Sequence, residues 1–283
     1  MLAARRMTRR QPWAAAALAA LLAWMAAAPP AYGWRRPLEV AALRAAVLSY
    51  PELVAGPFLV VYPPGHRAVA ALVLHDAAAD YRVERASLGE ALHQPLLIVI
   101  YRTQAALNAS AGLPAADNNI GLYGAGSVRI DLPRAWIPSG PWQPAFQADG
   151  PVAHELGHAL LDRAAHENYP AWFSEGVAQW EDVQATGYQW LTPNNQLHAG
   201  AVPYSWAALS GNFYALPHQS LAYREGLLLV EELQHRRYGG PTRFRQFLHA
   251  LGGTQSFGAT MQSAYHMKPA ALYAAWRQTL PAP

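Results

Sequence analysis

The stretch His154-Glu155-Leu156-Gly157-His158 is the part of the chain from which the rest can be read. It spells H-E-x-x-H, the pattern of helical zinc sites. Residues four apart on an α-helix share a face, about 40° apart around the axis. Two imidazoles at this spacing can meet one metal ion, and Glu155 stands beside them, within reach of a proton on a water at that metal. The plain alternative is a surface helix with two solvated histidines. The flanks favour a packed helix. Asp149-Gly150-Pro151 precedes the motif, Asp being able to accept N–H bonds at a helix start and Pro suiting a first turn. Val152, Leu156, Ala159 and Leu160 then form an apolar stripe, so a helix is expected from about Pro151.

Catalytic zinc takes three protein ligands and leaves a position for water. A third ligand in the form H-x-x-G-x-x-H is excluded, because the positions it needs hold Leu161 and Ala164. His166 reads as a solvated loop histidine. The best candidate is Glu175, in Trp172-Phe173-Ser174-Glu175-Gly176-Val177-Ala178-Gln179-Trp180-Glu181, a second helix after the turn His166-Glu167-Asn168-Tyr169-Pro170, with Pro170 ending the first. Two helices joined this way can run antiparallel, so that a Glu on one reaches a metal held by the other. Glu181 and Asp182 are rivals at the helix end. Trp172 and Trp180 are candidates to wall the site, and Gln179, one turn after Glu175, is placed to orient a ligand histidine.

H-E-L-G-H followed by W-F-S-E-G-V-A-Q-W resembles the gluzincin metallopeptidases, and more closely the bacterial peptidase MA-like domain. Weaker similarity extends to residues 95–101, 121–132 and 223–240. The resemblance implies a zincin-like α+β fold: a small N-terminal mixed sheet with helices, the active-site helix and a helical C-terminal half. It implies one Zn2+ held by His154, His158 and Glu175, with Glu155 as general base for peptide-bond hydrolysis. It also implies an oxyanion stabiliser from a downstream helix, for which Tyr223 is the candidate and His218 and His198 the alternatives. The strand before the active-site helix would be an edge to which an extended peptide adds. The absence of G-x-M-E-N argues against the large aminopeptidases of the same clan.

Residues 1–33 read as a signal peptide: Arg5, Arg6, Arg9 and Arg10, an apolar run from Trp13 to Ala28, and Ala31-Tyr32-Gly33 as a cleavage site. An uncleaved anchor through residues 13–28 is the alternative, and either way the chain is expected to be exported, periplasmic or secreted. Membrane contact is confined to that segment. Residues 34–283 are expected to form one zincin-like domain of two lobes. The formal net charge is +3, but the 21 basic residues less those four leave 17 against 18 acidic, which removes compositional support for nucleic-acid binding. There is no cysteine, so bridges, thiol catalysis and cysteine zinc sites are excluded.

Along the chain, Leu38–Leu48 reads as a helix, Phe58–Tyr62 and Leu96–Tyr101 as strands, and His66–Leu92 as a helical stretch with a break near Ala79. Thr103 caps a short helix through Asn108. Ile120–Tyr123 and Ser127–Leu132 form a hairpin around Gly124-Ala125-Gly126. Residues 133–151 read as a Pro/Gly/Trp-rich loop and 183–219 as irregular. Helices follow over Ser220–Tyr238, Pro241–Leu251 and Pro269–Leu280. Besides a zinc peptidase acting on a peptide or protein, two readings stay open: a zinc-fold binding or scaffold module, which the presence of Glu155 disfavours, and a zinc hydrolase of non-peptide amides or esters.

Overall fold

The computed structural model describes residues 32–197 and 202–280. The leader, its anchor alternative over 13–28 and His198 lie outside the described residues. Among the described residues, no helix is long and apolar enough to cross a membrane.

The architecture is α+β, with the zincin-like layout expected. Helix α1 (Tyr32–Ala46) precedes strands β1 (Glu52–Ala55) and β2 (Phe58–Val61). Helix α2 (Arg67–Leu88) crosses to β3 (Leu96–Tyr101), and the short α3 (Gln104–Ser110) leads to β4 (Gly121–Gly124) and β5 (Ser127–Asp131). The sheet order is β1-β2-β3-β5-β4. The central β2, β3 and β5 run parallel, while β1 and β4 pair antiparallel at the two margins. Continuous apolar runs suit parallel strands covered on both faces. Phe58, Val60, Leu96, Ile98 and Ile100 face the main core, while Leu59, Val61, Leu97 and Val99 face a smaller one closed by Val40, Leu43 and Val47.

The helical part follows: α4 (Trp142–Asp149), α5 (Val152–Ala165), α6 (Ala171–Thr186), the single turn α7 (Trp206–Leu209), α8 (Gln219–Leu233), α9 (Gly240–Leu251), α10 (Phe257–Tyr265) and α11 (Pro269–Arg277). Several expectations are corrected. Residues 142–149 are helical, so Asp149 ends α4 rather than capping α5, whose N-cap Pro151 makes no side-chain bond. The first intrahelical bond runs from Glu155 N–H to the Pro151 carbonyl, 2.9 Å. Pro170 does not break α5. That helix ends at a left-handed His166, and Pro170 is the N-cap of α6. Helix α2 is unbroken through Ala79. The helix expected over Ser220–Tyr238 ends at Leu233, with a separate 3-10 turn at Arg236–Tyr238. Strand β1 and helix α10 were not foreseen.

Helices α5 and α6 pack on each other, and α6 packs on α8. The second contact is main chain against main chain. A β-carbon at Gly226 would fall 2.6 Å from the Trp172 carbonyl oxygen, and one at Gly176 would fall 2.6 Å from the Gly226 carbonyl carbon. Only glycine at both places allows this approach, which lays the first turns of α8 against Glu175.

Candidate metal centre

Helix α5 presents His154 and His158 on one face, ring centroids 4.8 Å apart and nearly perpendicular. Across from them, α6 presents Glu175, 4% exposed and held by the short 166–170 connection. Glu175 Oε2 lies 3.3 Å from His154 Nε2 and 3.4 Å from His158 Nε2, and the two Nε2 atoms lie 3.2 Å apart. The three contacts cannot all be hydrogen bonds: if both Nε2–H groups donate to Glu175, no proton lies between the two nitrogens. Tetrahedral zinc with bonds of about 2.0–2.1 Å places its ligand atoms about 3.3 Å from one another. The donor set therefore fits that ion in both identity and spacing. Among the described residues, these three are the one group of His and acidic side chains whose ligand atoms converge closely enough to be able to hold a metal ion.

Each outer nitrogen is held. The Gln179 amide lies 3.2 Å from His154 Nδ1, the place the sequence suggested for it, and Ser174 Oγ lies 2.9 Å from His158 Nδ1. Ser174 Oγ, accepting from Nδ1–H, fixes the His158 ring and leaves its Nε2 available; at His154 the facing atom is the amide nitrogen of Gln179, and the turned-over amide, with Oε1 accepting from Nδ1–H, gives the same support. Burial alone would raise the Glu175 pKa. His158 and His154 outweigh it and hold the carboxyl well below its ordinary value.

Glu155, 5% exposed, sits beside the cluster under strand β4. A β-carbon at Gly121 would come within 2.8 Å of Glu155 Oε1, so the strand passes over the carboxylate with no room for a side chain. The Tyr123 backbone N–H reaches that carboxylate. Burial pushes the Glu155 pKa up to about 8, against the opposing pull of His154. β4 is the sheet edge next to the candidate metal centre, the position the gluzincin resemblance implies for the strand before the active-site helix.

Tyr223, on the first turns of α8, stacks 6.2 Å from the His154 ring and hydrogen-bonds Glu175. Trp190 meets its ring edge to face at 5.5 Å. Burial, then the charge on Glu175, raises the Tyr223 pKa well above its usual value. His218 forms the N-cap of α8, with its backbone N–H bonded to Tyr204 Oη.

Sequence reasoning missed Tyr214, whose hydroxyl donates to Glu175 Oε1 at 2.6 Å although the residue is 60% exposed. Burial of the hydroxyl end and the Glu175 charge raise its pKa. It sits on a 3-10 turn with no periodicity to mark it. Other expectations are corrected by packing. Trp172 does not wall the site: it is 1% exposed and packs against Phe173, Trp206 and Phe257. Glu181 and Asp182 are buried inside α6 rather than at its end, and Glu181 accepts from Ser87 at 2.7 Å. His166 is exposed at the C-cap of α5, as expected, and its Nδ1 lies 2.9 Å from the Gly252 carbonyl.

No family model matches the chain, and no curated protein matches it. Among solved structures, the chain is similar to an M1 zinc metallopeptidase from Deinococcus radiodurans (TM-score 0.37, 15% identity, covering 82% of this chain and 51% of that one). It is also similar to a mutant of an M1 zinc metallopeptidase from that organism bound to a Tyr-Ser-Ala substrate (TM-score 0.40, 15% identity, 82% and 51%). The chain spans about half the length of the structures it matches.

Proposed function

We propose that this chain is a zinc-dependent peptidase of gluzincin type, with His154, His158 and Glu175 as metal ligands and Glu155 as general base. The observation that carries the reading is the convergence of three donor atoms, each 3.2–3.4 Å from the others, beside a buried carboxylate. A zinc ion held there supplies Lewis acidity, polarising a carbonyl and acidifying water. Glu155 takes a proton from the attacking water and delivers it to the leaving amine nitrogen, one carboxylate acting as base and then as acid. The Tyr123 N–H holds that carboxylate in place. The Tyr223 hydroxyl, turning from Glu175, donates a hydrogen bond to the oxyanion on the former carbonyl carbon and keeps its proton.

An extended peptide adds to the free edge of β4, which gives main-chain hydrogen bonds independent of substrate side chains. That edge favours peptides over other amides and esters. The peptidase MA-like affiliation rests on the H-E-L-G-H and W-F-S-E-G-V-A pattern. Export by residues 1–33 is part of the proposal, and N-terminal sequencing of the mature protein checks it.

Elemental analysis followed by peptide cleavage mapped by mass spectrometry, with and without chelator, tests the central claim. One zinc per chain and chelator-sensitive amide cleavage are expected. Zinc binding with cleavage of esters alone would move the protein to the non-peptide reading. Zinc binding with no hydrolysis of either class would make it a scaffold.

A further inference from the structure

Tyr123 touches the site three ways. Its backbone N–H reaches Glu155. Its ring lies nearly parallel to the His158 imidazole, with centroids 6.5 Å apart and planes 17° from parallel. Its hydroxyl donates to Asp162, one turn beyond His158 on α5 and fully buried. One cation at Asp162 comes from far away in sequence. Arg36, on α1, forms an ion pair with Asp162, donates to Tyr123 Oη at 2.8 Å, lies 5.9 Å over the Tyr123 ring and reaches Glu167 at 3.1 Å.

Helix α1 contributes nothing to the metal cluster. It is fastened to the far face of the sheet by Val40 and Leu43, packed against the side of Leu59, Val61, Leu97 and Val99. Through one guanidinium it nevertheless grips the strand that roofs Glu155. That strand needs a grip: β4 is four residues long, half-buried throughout and paired on one side only. Short edge strands of this kind open readily.

We propose that Arg36 is a positioning residue, holding β4 at its working height over Glu155 and His158 through Tyr123 and Asp162. The proposal rests on the hydrolytic reading of the site. A buried carboxylate deprived of its cation is strongly unfavourable and recruits whatever donor or water can reach it. Without Arg36, Asp162 keeps the Tyr123 hydroxyl, but the pair loses the guanidinium that ties both of them to α1. The strand then no longer holds the substrate backbone within the roughly 0.5 Å that catalysis requires.

The test uses the full chain with Arg36→Ala and Arg36→Lys. Arg36→Ala is expected to bind zinc in full. Its kcat/KM should fall about 10- to 100-fold, because small misplacements near a reacting centre have effects of that size. Added guanidinium restores part of the rate. Lysine restores less, because its ammonium can meet the adjacent Asp162 and Tyr123 oxygens but lacks the planar group that also lies over the Tyr123 ring and reaches Glu167. Amide exchange followed by mass spectrometry supplies a readout independent of turnover: Gly121–Gly124 should exchange about tenfold faster while α5 and α6 stay as protected as in the parent. If the parent protein cleaves no peptide, the hydrolytic reading fails and the exchange measurement still decides whether Arg36 grips β4. If Arg36→Ala does not fold, Tyr123→Phe decides, since it removes one hydroxyl while keeping ring and backbone and should give the same exchange signature. Parental exchange over Gly121–Gly124 in these variants would overturn the proposal.

Discussion

Helix α6 carries buried acids on two faces, and their surroundings differ. On one face Glu175 meets two imidazoles and two phenols. On the other, Glu181 and Asp182 face Asp76, Asp80 and Glu84 of α2, which lie four residues apart along one side of that helix. Glu84 is fully buried, and neither of its carboxyl oxygens has a hydrogen-bond partner among the described residues. Burial, reinforced by Glu181, Asp80 and Asp182, raises its pKa well above the ordinary value. Burial likewise pushes Glu181 up to about 8 and, with Asp76 and Asp182, Asp80 up to about 7. The lesson is that depth alone does not decide the charge on a buried acid. Where two imidazoles reach Glu175 directly they overcome its burial and hold it ionised, whereas at Glu155 burial outweighs the pull of His154 and pushes it up to about 8. Where burial and neighbouring acids outweigh such weaker opposing charges as His75 at Asp80, folding leaves the acid holding a proton.

The sharpest way to break the contrast is Glu155→Gln. It should leave zinc bound and lower kcat by at least the 10²- to 10⁴-fold typical of a general base. Turnover at the parental rate would remove Glu155 from its assigned role. Glu175→Ala should strip the metal site of its carboxylate, and one equivalent of zinc after dialysis would show that another residue completes it. Gln179→Ala should weaken zinc about 10- to 100-fold, the usual effect of losing the group behind a ligand histidine, as read by competition with a chromogenic chelator.

Smaller effects belong to the acid face. Glu84→Leu should stabilise the protein by about 1–3 kcal/mol, the scale of an unsatisfied buried polar group, without changing zinc content. Loss of stability would mean that Glu84 has a partner worth keeping. The pH dependence has a definite sign. Folded pKa values above those of the open chain mean that the native state binds more protons. This contribution is fully present below about pH 4.5 and is lost as pH rises toward 8 through the folded values of Asp80 and Glu181. Denaturant melts between pH 5 and 8 should therefore show falling stability, flatter in Glu84→Leu. A curve rising with pH would contradict the protonated state.

The two faces were unequally legible in the sequence. His154, Glu155, His158 and Glu175 were readable because ligand chemistry imposes spacing along one helix and polarity on the next. Gln179 followed by helical periodicity, and the edge hairpin by its glycines. Tyr214, Tyr123, Asp162 and Arg36 were not readable as a group, since they come from a turn, a strand and two helices that only tertiary packing brings together. The acids at 76, 80 and 84 did carry a signal, a four-residue interval on an otherwise apolar helix side. Without a facing element in view, that interval reads equally well as a wet surface. The cap of α5 was misassigned because Asp149 suits both the end of one helix and the start of another.

The glycine contact between α6 and α8 has a further consequence. Where two backbones touch directly, there is no methyl group to trim and no rotamer to turn, so the distance between Tyr223 and Glu175 is effectively machined into the frame. Adapting such a protein to bulkier or slimmer cargo would have to proceed elsewhere, at side chains such as Trp190 and Tyr214, which border the centre without a main-chain contact to fix them.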